Sequence, residues 1–113
     1  MQKEINITKI DTVANYVSIS IVVNDDGSIR VSDYSDGEVA EEVYGHDVDH
    51  YLDLDAQAVK KLVHRMQREV PDGSPVELAK HIAEKFKGQN LALTSIKELC
   101  DQFDVPYCEE FWP

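Results

Sequence analysis

The chain has 113 residues, of which 42% are hydrophobic and 29% charged, and its 22 aspartates and glutamates against 11 lysines and arginines give a formal net charge of -11. That length suits one domain, residues 1–113, around a single core, and the composition is ordinary enough for the charge not to force disorder. The charge excludes binding DNA or RNA directly through phosphates, which takes clustered Lys and Arg, and favours either a basic partner or simple solubility.

The amino end, MQKEINITKI, carries charge among its first residues and no apolar run of signal-peptide length. No later stretch approaches the ~20 apolar residues of a membrane span, so a cytoplasmic protein without membrane association is expected. Glu4 to Ile10 sets Ile5 and Ile7 on one side in period two, and Tyr16 to Val23 alternates Val17, Ile19, Ile21 and Val23 against Ser18, Ser20 and Val22. Both segments predict strands. Asn24-Asp25-Asp26-Gly27 supplies residues that tolerate positive φ, and alternation resumes through Ile29 and Val31 to Asp33, which predicts a hairpin. Asp33 and Asp36 then fall around a turn.

After Ser35-Asp36-Gly37-Glu38, the spacing of Val39, Ala40 and Val43 predicts a short helix ending at Gly45. From Asp47 to Leu54 the period returns to two. Val48, His50, Leu52 and Leu54 face one way, and Asp47, Asp49, Tyr51 and Asp53 the other. Asp55 is placed to cap a helix in which Val59, Leu62, Val63 and Met66 form an apolar stripe, with Pro71-Asp72-Gly73 ending it. Ser74-Pro75-Val76-Glu77 is a capping box with proline at the first helical position, followed by Leu78, Ile82, Phe86 and the terminator Gly88. Ser95-Ile96-Lys97-Glu98 predicts a second capping box, opening a helix with Ile96, Leu99, Cys100 and Phe103 on its stripe. The tail from Tyr107 to Trp112 is expected to be extended and to pack its aromatics back on the domain. Strands before helices predict an α+β fold: a single antiparallel sheet with an amino-terminal hairpin, packed by two to three helices from the carboxyl half. One sheet face is expected to stay open.

Nine carboxylates, and neither lysine nor arginine, occupy the 29 residues from Val31 to Val59. Charge runs commonly do no more than keep a protein soluble. Here, however, Asp47, Asp49 and Asp53 share one side of a strand with Tyr51, and Tyr34 and Tyr44 are interleaved nearby. Tyrosine is enriched in binding hot spots, and flanking acids steer basic surfaces toward it. Asp47, Asp49, Tyr51 and Asp53, with Glu41, Glu42 and Tyr44 beside them, are the expected partner-binding residues.

His46-Asp47-Val48-Asp49-His50 is the one segment resembling a metal site. On a strand its histidines and aspartates point to opposite faces, so the four cannot converge unaided, and His50 is better read as a hydrogen-bonded core or rim residue. No metal or other cofactor is expected. Exposed acids keep ordinary pKa values and seldom do proton chemistry near neutrality. Cys100 sits on an apolar stripe near the carboxyl end of its helix, and Cys108 lies beside Glu109 and Glu110, so neither suits a nucleophile. Free thiols are expected, although a bridge between the two is compatible with the sequence. The cations Lys60, Lys61, Arg65 and Arg68 form an ordinary solvated helix face. No phosphate-binding glycine loop, nucleophile elbow or zinc knuckle is present, and the protein is expected not to be an enzyme.

The segments Asp36-Gly37-Glu38 through Glu41-Glu42-Val43-Tyr44-Gly45, Tyr51-Leu52, Val105-Pro106-Tyr107 and Phe111-Trp112 loosely resemble a group of short acidic bacterial proteins of unassigned function. Some small proteins of that type are similar to immunity proteins of polymorphic toxin systems. The resemblance carries over no functional residue. The resemblance establishes no activity; it is the acidic, tyrosine-bearing strand that leads to the expectation of a small non-enzymatic protein that neutralises a basic protein partner, a toxin or a nucleic-acid-binding protein. Two forms follow: an immunity protein against a nuclease-type toxin, or a DNA-mimic inhibitor of a restriction, CRISPR or nucleoid protein. A metal-dependent enzyme at His46 and His50 is the remaining alternative.

Overall fold

The computed structural model describes residues 3–11, 15–37, 48–71, 73–89 and 91–112. The strands are β1 (Lys3–Asp11), β2 (Asn15–Val23), β3 (Ile29–Gly37), β4 (Val48–Leu54) and β5 (Cys108–Trp112), and between β4 and β5 come helices α1 (Ala56–Arg65), α2 (Pro75–Lys85) and α3 (Ala92–Gln102). The strands form one sheet in the order β1-β2-β3-β4-β5 with every neighbouring pair antiparallel. The expected α+β architecture is therefore present, with all three helices.

Alternation decides the layering. Val17, Ile19, Ile21, Val23, Ile29, Val31, Leu52 and Leu54 are buried in one cluster with Val59, Leu62, Leu78, Ile82, Leu93 and Ile96 of the helices. Burying each such side chain contributes about 1.5–3 kcal/mol, which offsets the entropy of ordering the chain. The expected hairpin between β2 and β3 closes at Gly27, whose φ of 89° is accessible to glycine without Cβ strain, and its N–H donates to Asn24 O at 3.0 Å. In β1 the register shifts between Asn6 and Thr8, so Ile7 and Thr8 are both buried. The Ile7 carbonyl accepts from Gly88 N–H at 3.1 Å and Thr8 Oγ1 donates to Gln89 O at 2.8 Å, which ties the end of α2 to this outer strand.

Two helix starts follow their caps. Asp55 accepts from Ala58 N–H at 2.8 Å, and Ser74 Oγ accepts from Glu77 N–H at 3.1 Å. The third does not. The helix expected to open at Ser95 begins at Ala92, after Leu91 and without a side-chain cap, and Ser95 lies inside it, its Oγ donating to Gln89 Oε1 at 3.2 Å. Ala92 and Leu93 are fully buried, so packing extends the helix past the local signal.

Two further expectations are corrected. α1 ends at Arg65 rather than at Pro71, and turns then lead to Val70, which is buried. Asp33 lies not at a turn but within β3, which runs on to Gly37; it is 2% exposed and directly opposite His50. The short helix expected from Val39 to Val43 lies outside the described residues.

β5 is extended, as expected of the tail, and adds to the sheet by pairing with β4, although Phe111 remains 52% exposed while its ring stacks on His50 at 3.9 Å. Cys100 is buried and Cys108 exposed, both as free thiols. Burial, with Asp101 nearby, pushes the Cys100 thiol up to about 11, which keeps it protonated and inert. No helix among the described residues is long and apolar enough to cross a membrane.

Candidate functional site

The strand faces turned from the helices form a second surface. Register places Lys9, Ser18, Tyr34 and Asp49 in one row across the sheet, Asn6, Ser20, Ser32, Tyr51 and Glu110 in the next, and Glu4, Val22, Arg30, Asp53 and Cys108 in a third. Every one of these residues is half-buried or exposed. Among the described residues, the face is therefore uncovered by the fold itself.

Its chemistry varies from strand to strand. The middle is polar and uncharged, with Ser18, Ser20 and Ser32 beside Tyr16 and Tyr34, whose rings meet edge to face at 5.7 Å. Acids gather on the β4 and β5 side as Asp49, Asp53 and Glu110, around Tyr51. One cation stands among them. Arg30 Nε and Nη2 donate to the two Asp53 carboxylate oxygens at 2.7 and 3.0 Å, the guanidinium lies 4.5 Å from the centre of the Tyr51 ring, and Nη2 is 3.7 Å from Glu110. The hydrogen bond to Asp53 outweighs the effect of burial and raises the Arg30 pKa above its ordinary value.

The structure thus brings together Asp49, Tyr51 and Asp53 of the expected partner-binding residues. Asp47, Glu41, Glu42 and Tyr44 lie outside the described residues, as does His46. Asp55 caps α1 and is not part of the face. Sequence reasoning missed Arg30, Glu110, Tyr16 and the serine rows. Arg30 stands just before the lysine- and arginine-free run and shares the period-two phase of Ser32 and Tyr34, which was the available signal.

Beside the third row, a concavity of about 360 Å³ opens between the β2–β3 turn, the β4–α1 junction and the start of β5. Its carboxylates already accept hydrogen bonds: Asp26 from Ser28, Asp53 from Arg30 and Asp55 from Ala58.

A separate polar cluster lies on the helix side. His50, 3% exposed, donates from Nε2 to Glu109 Oε2 at 2.8 Å, and Lys97 of α3 donates to Glu109 Oε1 at 3.1 Å. Burial by itself raises the Glu109 carboxyl, but the hydrogen bonds from His50 and Lys97 and the Lys97 charge outweigh it and hold the group below the ordinary carboxylate range. His50 is thus the hydrogen-bonded core histidine anticipated from alternation. Among the described residues no three histidine, cysteine or acidic side chains are placed to hold a metal ion together.

No protein-family model, no curated protein and no solved structure matches this chain. The geometry of the face carries the functional argument.

Proposed function

We propose that this chain is a small non-enzymatic binding protein that uses its open sheet face to neutralise a basic protein partner, in the manner of an immunity protein against a nuclease-type toxin. The observation that carries this is the face left open among the described residues, in which tyrosines and serines form the middle and carboxylates line the β4 and β5 side. Tyrosine and serine supply rigid contact area and adaptable hydrogen bonding, as in antibody paratopes. Carboxylates raise the association rate with a basic surface and disfavour acidic competitors. Neutralisation is then occlusion: Asp49 and its neighbours engage the lysines and arginines with which the partner would hold substrate phosphates, while buried tyrosine contacts slow release.

The test uses the whole chain as bait, wild type against the triple variant Asp49→Asn, Tyr51→Ala, Asp53→Asn. Wild type is expected to retain a basic protein from its host's extract, released by salt, and the variant to lose it. For the captured protein, association at low salt is expected to slow by about ten-fold in the variant and to depend less on salt. Equal retention by both baits would remove the face from the interface, and capture of no basic protein would remove the partner class. Double-stranded DNA is a useful competitor: displacement from a nuclease active site supports occlusion, whereas displacement from a non-catalytic DNA-binding protein moves the function to DNA mimicry.

A further inference from the structure

Arg30 is the one cation on the open side of β3, β4 and β5 among the described residues, and the groups around it form a seat suited to a guanidinium. Asp53 meets its fork with both oxygens, Tyr51 offers a ring face at 4.5 Å and Glu110 adds a second carboxylate at 3.7 Å. A planar carboxylate and an aromatic face are what distinguish arginine recognition from lysine recognition, because an ammonium has no fork to match and stacks poorly. The seat lies at the middle of the acidic side of the face, where a basic partner would place its own cations.

We propose that Arg30 is an internal competitor: it fills this seat in the free protein, a partner arginine displaces it on docking, and the face therefore selects arginine over lysine. This inference rests on the open face being the partner surface. Displacement is feasible because the Arg30 and Asp53 side chains are 41% and 32% exposed, so their pairing is made against water and is weak. The displaced guanidinium swings into solvent on a flexible stem, and Asp53 exchanges one charged donor for another, so no buried charge is left bare. Arg30 also keeps the acids from repelling one another while the partner is absent.

The experiment measures binding of fluorescein-labelled octa-arginine and octa-lysine to the full chain by anisotropy, comparing wild type, Arg30→Gln, Arg30→Lys and Lys9→Gln. Lys9→Gln makes the same change in net charge on the same face, three strands from Asp53. Arg30→Gln is expected to bind octa-arginine about five-fold more tightly than wild type, the upper range for an exposed ion pair converted at 1.4 kcal/mol per tenfold. Arg30→Lys, which keeps the charge and loses the fork, is expected to gain about two-fold, and serves alone if Arg30→Gln does not fold. Lys9→Gln is expected to gain no more than about two-fold, and octa-lysine to gain equally little from either charge-removing variant. Equal gains in Arg30→Gln and Lys9→Gln would reduce the effect to net charge and overturn the proposal, as would weaker binding in both Arg30 variants. The interface itself is tested separately by Asp49→Asn: unchanged octa-arginine binding there sinks the assignment of the face, whatever Arg30 does.

Discussion

Glu109 joins three elements through one carboxylate. It accepts from His50 on β4 and from Lys97 on α3 while belonging to β5, and its side chain is 22% exposed. Its folded pKa lies below the ordinary glutamate value of 4.5. A carboxylate whose pKa is depressed on folding stabilises the fold above its unfolded pKa, and that contribution is lost as pH falls through the folded value. Glu109→Gln is therefore expected to destabilise by about 1–2 kcal/mol at neutral pH in urea unfolding, with the gap to wild type closing as pH falls below 4.5 and through the folded value. A gap that persists in acid would assign the cost to packing instead of charge. The inward placement of His50 was legible from alternation alone, but its partner was not, because 59 residues separate the two and no local pattern links them. Asp33 was misread for a related reason. An aspartate signals a turn only where the chain has no stronger reason to continue, and here β2 and β4 pair with β3 on both sides of Asp33.

Helix starts show where local chemistry governs and where packing overrides it. Ser74 and Asp55 each satisfy a backbone N–H in the first turn of a helix. Replacing either by alanine is expected to cost about 1 kcal/mol. Ser95, inside α3, caps nothing, and Ser95→Ala is expected to change stability by no more than about 0.5 kcal/mol. Urea midpoints of the three variants check this directly, and a Ser95→Ala loss as large as that of Ser74→Ala would put the start of α3 at Ser95 after all. The Ser95-Ile96-Lys97-Glu98 pattern misled because a capping box reports only what a helix start would gain. Burying Ala92 and Leu93 at the expense of an uncapped turn gains more, and that comparison needs the sheet against which they pack. The β4 residues of the candidate site were legible because period two fixes which side chains share a face. Their neighbours Arg30, Tyr34 and Glu110 become neighbours only through register, which depends on strand order.

At the scale of the whole molecule the charge has a definite arrangement. Among the described residues the buried positions are apolar apart from Thr8, Asp33 and His50, so the described charged side chains other than Asp33 reach the surface at least in part. The ion pairs seen among the described residues include Arg30 with Asp53, Lys97 with Glu109 and Lys80 with Glu77, and several are solvent-exposed. With 22 aspartates and glutamates against 11 lysines and arginines, net repulsion opposes the folded state more than the unfolded one, because folding brings the acids closer together. Salt screens both repulsion and attraction, reducing the Debye length from about 30 Å at 0.01 M to about 10 Å at 0.1 M. Direct contacts of 2.7–3.5 Å lie well inside either length, whereas repulsion between acids spread over a molecule of 41 × 27 × 21 Å acts largely at distances between the two. Screening therefore removes more repulsion than attraction, and the thermal midpoint is expected to rise by about 4 °C for each ~1 kcal/mol so released between those salt concentrations. The same addition of salt slows capture of a basic partner, so stability and association rate move in opposite directions with ionic strength. A midpoint that falls with salt would mean that short-range pairs dominate the energetics, and that the acidic side costs the fold nothing when no partner is bound.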